Sequence, residues 1–218
     1  MANEEKNEVT YGVYYAPDGH YEGELRDGLP NGQGTLFTDD EGVCKGTWKD
    51  GNLHGYGKII FEDDTTYVGE FKDGLYHGKG VYTGGFYGER HEGTWENGEM
   101  VGHGVIVYPT DERYEGVFVK GKMEGQGLHI FQNGDRYEGE FKEGTACGHG
   151  TLTRPNGDRY EGEFYNNRLH GKGVYTYASG DTYEGDYTYS KKHGYGKFTH
   201  ADGTVQEGRW KNDVFDGE

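Results

Sequence analysis

The nine residues NGDRYEGEF occur at Asn133–Phe141 and recur unchanged at Asn156–Phe164, a step of 23. An active site needs its residues once, whereas a stacked array needs the same unit many times. With the Gly of YEG as a marker, the repetition runs through Gly23, Gly46, Gly69, Gly93, Gly116, Gly139, Gly162, Gly185 and Gly208. Every step is 23 residues except one of 24, whose extra residue falls within TGGFYGERH (Thr83–His91), where a turn can absorb it. Nine residues after each marker stands a second Gly, from Gly32 to Gly217. In eight repeats a further Gly follows two residues later.

Each repeat reads as two short strands. Tyr160, Gly162 and Phe164 are spaced by two and share one strand face, while Glu161 and Glu163 face the other way. Two residues after the marker stand Leu25, Trp48, Phe71, Trp95, Phe118, Phe141, Phe164, Tyr187 and Trp210. The second strand opens at GxG and carries Leu36, Ile59, Tyr82, Ile106, His129, Leu152, Tyr175 and Phe198, apolar at all but one position. Asn133-Gly134, Asn156-Gly157, Ser179-Gly180, Asp18-Gly19 and Asp202-Gly203 are expected to supply the positive φ of tight hairpin turns. Glycine this frequent disfavours helix by about 0.8–1 kcal/mol per residue. The expected fold is all-β: an elongated, twisted, single-layer antiparallel meander, with rings packed over glycines in place of a conventional core. Two strands per repeat at roughly 4.8 Å each predict a rod or ribbon on the order of 85 Å long. Residues 1–11 read as an acidic N-terminal tail and 12–218 as about nine repeats, the last incomplete.

Composition limits the partners. Only 31% of the 218 residues are hydrophobic and the net charge is −17, which alone would suggest disorder. Against that stand 20 Tyr, 10 Phe and 3 Trp, and the expectation is therefore a thin ordered structure. The acidity repels phosphate backbones, so no nucleic-acid partner is expected, and it disfavours anionic membrane lipid. No apolar run approaches a membrane span, and MANEEKNEVTYG lacks a signal peptide's apolar segment. Cys44 and Cys147 lie four repeats apart and are expected to remain reduced.

Several motifs suggest chemistry and fail on spacing. His54, His77, His170 and His193 occupy one place in four repeats, so they form a row rather than a cluster, and no metal is expected. The recurring GxG lacks the third Gly and the helix of a dinucleotide site, and GLYHGKG (Gly74–Gly80) lacks phosphate-loop spacing, so no cofactor is expected. Glu115, Glu138, Glu161 and Glu184 recur too regularly for an acid–base pair and read as a solvated face. No catalytic residue is expected.

The stretch Gly157–Tyr187, GDRYEGEFYNNRLHGKGVYTYASGDTYEGDY, resembles the MORN repeat (membrane occupation and recognition nexus) in its YEGxW/F, turn, HGxG and VYTY order, and the likeness covers almost the whole chain. Leu25 in the first repeat, VCKGTW in the second and QEGRW in the last depart from it, as capping units of open arrays do. The resemblance implies a non-enzymatic scaffold for protein–protein interaction in a cytoskeletal assembly. A small chain made almost wholly of such repeats is similar to subunits of the axonemal radial spoke head of cilia and flagella. A phosphoinositide-binding tether is the alternative, for which Lys191-Lys192-His193 with Lys197, Arg209 and Lys211 is the best basic cluster, and a regulatory module of a separate enzyme is another. The candidate partner-binding groove is Trp95, Tyr114, Phe118, Tyr137, Phe141, Tyr160 and Phe164, with a purely structural role for these rings as the competing reading. Trp210, Val214 and Phe215 form a candidate edge interface, expected to pair with another subunit or a second copy of the chain.

Overall fold

The computed structural model describes residues 8–39, 42–85 and 88–217. Most of the expected acidic tail, Phe86 and Tyr87 of the stretch with the extra residue, and Glu218 lie outside the described residues. Every regular element among the described residues is a strand, and the chain divides at Pro109/Thr110 into two compact halves.

The N-terminal half holds β1 (Thr10–Ala16), β2 (Gly19–Arg26), β3 (Leu29–Thr38), β4 (Gly42–Lys49), β5 (Asn52–Ile60), β6 (Thr66–Lys72), β7 (Leu75–Gly84), β8 (Glu89–Glu96) and β9 (Glu99–Val107). The C-terminal half holds β10 (Arg113–Val119), β11 (Lys122–Ile130), β12 (Arg136–Lys142), β13 (Thr145–Thr153), β14 (Arg159–Tyr165), β15 (Arg168–Thr176), β16 (Thr182–Thr188), β17 (Lys191–Thr199), β18 (Val205–Lys211) and β19 (Val214–Gly217). Within each half every strand pairs antiparallel with its sequence neighbours, a plain meander. Successive strands align marker Gly against GxG Gly, so that Gly116, Gly127, Gly139, Gly150, Gly162, Gly173, Gly185, Gly196 and Gly208 form one row across β10–β18.

The two glycines of GxG have different physical tasks, which β12 and β13 illustrate. Gly148 sits in the bulge where the register shifts, at φ +55°, a region costly to residues with a Cβ. The bulge turns the His149 amide outward, and the Glu140 carboxylate accepts its N–H at 3.1 Å. Glu70, Glu163 and Asp186 accept the Lys79, Lys172 and Tyr195 amides in the same way. Gly150, by contrast, is extended and lies beneath the Tyr137 ring, which a Cβ would approach to 2.6 Å.

The rings above the glycine row are the core. Tyr21, Tyr67, Tyr114, Tyr137, Tyr160 and Tyr183 are at most 1% exposed. The Tyr137 hydroxyl donates to the Glu140 and Cys147 carbonyls at 3.0 and 3.3 Å, which satisfies the one polar atom this burial would strand. Tyr21 stands edge-on to Trp48, and each of the other five to at least two rings. Tyr137 meets Phe141 at 5.2 Å and Phe164 of the next repeat at 4.7 Å, so its ring stitches one repeat to the next.

The turns correct one expectation. Two-residue turns with positive φ at both positions follow the YEG strands instead, at Asp27-Gly28, Asp50-Gly51, Asp73-Gly74, Asn97-Gly98 and Asn166-Asn167 among others. Asn133-Gly134 and Asn156-Gly157 lie in longer loops where only the Gly has positive φ. There the Asn side chain instead accepts the amide two residues on, Asp135 or Asp158, at 3.0 Å.

Candidate protein-binding surfaces

All seven residues of the expected groove lie within the buried layer: Trp95, Tyr114, Phe118, Tyr137, Phe141, Tyr160 and Phe164 are at most 7% exposed. They hold repeats together, and a folded chain leaves a partner almost none of their surface. Trp210 is likewise buried, its indole N–H donating to the Gly196 carbonyl at 3.0 Å, while Val214 is exposed and Phe215 half-buried against Trp210.

What remains accessible on the aromatic face is a second strip toward the loops. In the C-terminal half His129 packs on Phe131 at 4.1 Å, Tyr175 on Tyr177 at 4.5 Å, and Phe198 on His200 at 4.7 Å. Phe131, Leu152, Tyr177 and Phe198 are half-buried, with surface left for contact. A cavity of about 490 Å³ opens here, with Phe131, Leu152 and Leu169 on its apolar side and Glu112, Asp135 and Arg154 at its polar margin. The sequence carries a signal for part of this strip: fifteen residues after the marker stand Phe61, Tyr108, Phe131, Tyr177 and His200.

Carboxylates border the strip and are held ionised. The Ala178 amide, the Tyr175 hydroxyl at 2.8 Å and the nearby Arg154 guanidinium hold Asp158 below the usual carboxylate range. The Ala201 amide and the Ser179 hydroxyl do the same for Asp181. An aromatic strip beside fixed negative charge is chemically suited to an amphipathic segment bearing Lys or Arg.

Lys192 lies on the same face and breaks the pattern of its column, which otherwise holds Pro30, Leu53, Tyr76, Met100, Met123, Ala146, Leu169 and Phe215. Its Nζ lies 4.7 Å from both the Phe198 and Trp210 ring centres and 5.4 Å from Tyr183. Desolvation lowers its pKa, and the Asp213 charge partly opposes this. With this ammonium turned into rings, the best basic cluster of the sequence loses one of its charges as a lipid-facing group.

The opposite face is charged. Arg113, Arg136 and Arg159 pair with Glu115, Glu138 and Glu161 at 2.6, 2.9 and 2.6 Å, so three of the four carboxylates in the row are in surface ion pairs. The His row stays dispersed, one ring per bulge. Among the described residues no three metal-ligating side chains gather, and neither Cys44 nor Cys147 is in a disulfide.

The family comparison fits this geometry. The family described as MORN repeat matches at residues 21–41, 44–66, 67–85, 91–113, 114–136, 137–159, 160–182 and 183–205. All eight matches begin at the residue two before the marker, where the glycine-covering Tyr usually stands. Among solved structures, the chain is similar to the SAS-4 (dCPAP) TCP domain of Drosophila melanogaster in complex with a proline-rich motif of Ana2. That likeness has 9% identity and a TM-score of 0.40, over 84% of this chain and 88% of that one. The TCP10 domain of Danio rerio CPAP is similar at 9% identity and a TM-score of 0.35, over 94% and 97%. In complex with a STIL peptide it gives 12% and 0.31, over 92% and 100%. No curated protein matches the sequence. Eight matches to one repeat type between residues 21 and 205 establish that the chain belongs to the MORN-repeat family.

Proposed function

We propose that the chain is a non-enzymatic scaffold that joins protein subunits in a cytoskeletal assembly, with the axonemal radial spoke head of cilia or flagella as its setting. The observation that carries the scaffold reading is the half-buried strip of Phe131, Leu152, Tyr177 and Phe198 beside ionised Asp158 and Asp181. Such a strip takes the apolar face of a partner segment, and its carboxylates select Lys or Arg on the flanks. Support for the ciliary setting is the resemblance of a small, nearly pure MORN chain to small spoke-head subunits.

The test is extraction of isolated cilia that carry the tagged chain with non-ionic detergent, followed by a moderate-salt wash. Retention in the axonemal pellet, with crosslinks to neighbours that weaken in Phe131→Glu, is the expected result. Release with the membrane fraction refutes the scaffold and favours a lipid tether. Absence from cilia refutes the setting.

A further inference from the structure

β1 lies outside the eight family matches, yet it continues their pattern. Gly12-Val13-Tyr14 repeats the order of Gly80-Val81-Tyr82 and Gly173-Val174-Tyr175, and Gly12 pairs with Gly23 at the end of the glycine row. The corresponding strands β7 and β15 are paired on both sides, whereas β1 pairs with β2 alone among the described residues. β1 is therefore the second strand of a repeat whose first strand the described residues do not supply.

Among the described residues this edge is left unpaired and unblunted. Tyr11 and Tyr15 are each 80% exposed, and with Val9 and Val13 they form an apolar stripe on the outer face. Thr10–Ala16 contains no charge and no Pro, the usual devices that blunt an edge strand. β19, at the end of the C-terminal half, is four residues long and flanked and interrupted by Asp213 and Asp216, so it is already blunted.

We propose that β1 pairs antiparallel with β1 of a second copy of this chain, about a twofold axis through Gly12. The unpaired main-chain groups require an extended strand, and three features select this one. Gly12 then faces the partner's Gly12, which carries the glycine row across the axis. On the outer face Tyr11 lies against the partner's Val13, and Val9 against the partner's Tyr15, aromatic and β-branched pairs of the kind that stabilise antiparallel strands. Charge favours a neutral strand: Glu22 and Glu24 of β2 already lie opposite Val13 and Tyr11, and a YEG strand of a second copy would add further carboxylates to the same stripe, whereas β1 adds none. Two neutral β1 strands instead space the acid-bearing β2 strands three strand intervals apart, about 14 Å, beyond the screening length of about 8 Å. Two copies of net charge −17 can then meet at this edge. The pairing is isologous and closes as a dimer.

Sedimentation equilibrium of the intact chain at micromolar concentration is expected to give twice the 24.5 kDa chain mass. Val13→Lys places a cation near its own symmetry mate at an exposed position, and it is expected to weaken the dimer at least about 100-fold. Its far-UV circular dichroism should remain unchanged. A mixture of Tyr11→Cys and Val13→Cys chains is expected to crosslink as the mixed pair in preference to either like pair, above the background from Cys44 and Cys147. A monomer at every concentration, or a dimer unaffected by Val13→Lys, overturns the proposal, as does one lost with Val214→Lys instead. Preference for like pairs overturns the Gly12-centred register.

Discussion

Gly148 and Gly150 stand two residues apart on β13, and the structure predicts that alanine will injure them by different routes and amounts. At Gly150 the new Cβ lies 2.6 Å from Cε2 and 2.7 Å from Cζ of Tyr137, a ring 1% exposed and wedged between Phe141 and Phe164. The ring cannot swing aside, so the strand must separate from it. Overpacking of this kind costs about 1–3 kcal/mol. Displacement of the hydroxyl also breaks its two bonds to main-chain carbonyls, each worth about 0.5–1.5 kcal/mol. A loss of about 3 kcal/mol is expected for Gly150→Ala. At Gly148 the atoms nearest the Cβ are those of the Glu140 carboxylate, the far end of a half-buried side chain that can turn aside, and the main cost is φ +55°. Left-handed backbone costs a non-Gly residue roughly 1–2 kcal/mol. Urea unfolding followed by Trp fluorescence, with midpoint and slope compared, measures both. The double variant Tyr137→Ala/Gly150→Ala should lose less than the sum of its parts, because the clash vanishes with the ring. A Gly150→Ala cost equal to or below that of Gly148→Ala, or strict additivity in the double variant, refutes the ring-over-glycine account.

Tyr187 occupies a position where the three preceding repeats have Phe, and its buried hydroxyl finds no partner among the described residues. Tyr187→Phe is therefore expected to stabilise by about 1 kcal/mol in the same unfolding assay. Alkaline pH should unfold the array: burial first, then the charges of Glu24, Glu124 and Asp186, push Tyr21, Tyr114 and Tyr183 from 10.0 up to about 12. A raised acid pKa leaves this stability fully present below pH 10 and removes it as pH climbs from 10 toward 12. Tyrosinate absorbance that rises together with loss of circular dichroism is expected, and full ionisation near pH 10 in an intact fold would contradict it. At Asn167 (φ 63°), whose Oδ1 accepts the Ala146 amide at 2.7 Å, Asn167→Ala should cost about 1–2 kcal/mol and Asn167→Gly less. Thermal denaturation of the two variants separates the backbone cost from the lost bond.

The strand pairing and the ring layer were legible because both follow from periodicity: a step of 23 with Tyr, Gly and Phe two apart leaves one arrangement that buries every ring. Periodicity could not distinguish a ring that holds repeats together from one that meets a partner. Tyr137 and Phe131 are both aromatic and recurrent, and only the position of the glycine row buries the first and leaves the second half open. The turns were misplaced for a similar reason. Asn133-Gly134 has the letters of a tight turn, but its loop is long enough for the Asn side chain to accept an amide, whereas Lys120-Gly121 and Glu143-Gly144 carry two-residue turns without the usual letters. Lys192 was read as part of a basic cluster. Its column in the other repeats, all apolar, was the sequence sign that it would be drawn toward rings.

The hairpin turns also bind one another. The Gly144 amide donates to the Met123 carbonyl, Asn167 to Ala146, Ser190 to Leu169 and Asp213 to Lys192, each reaching back one repeat. Every link in these halves thus joins residues close in sequence, although the fold is wholly strand. Sheets generally form slowly because distant segments must find each other. Here no segment must search beyond the adjoining repeat, so nucleation can start at any interior hairpin and spread both ways, and melting should fray inward from the outermost strands.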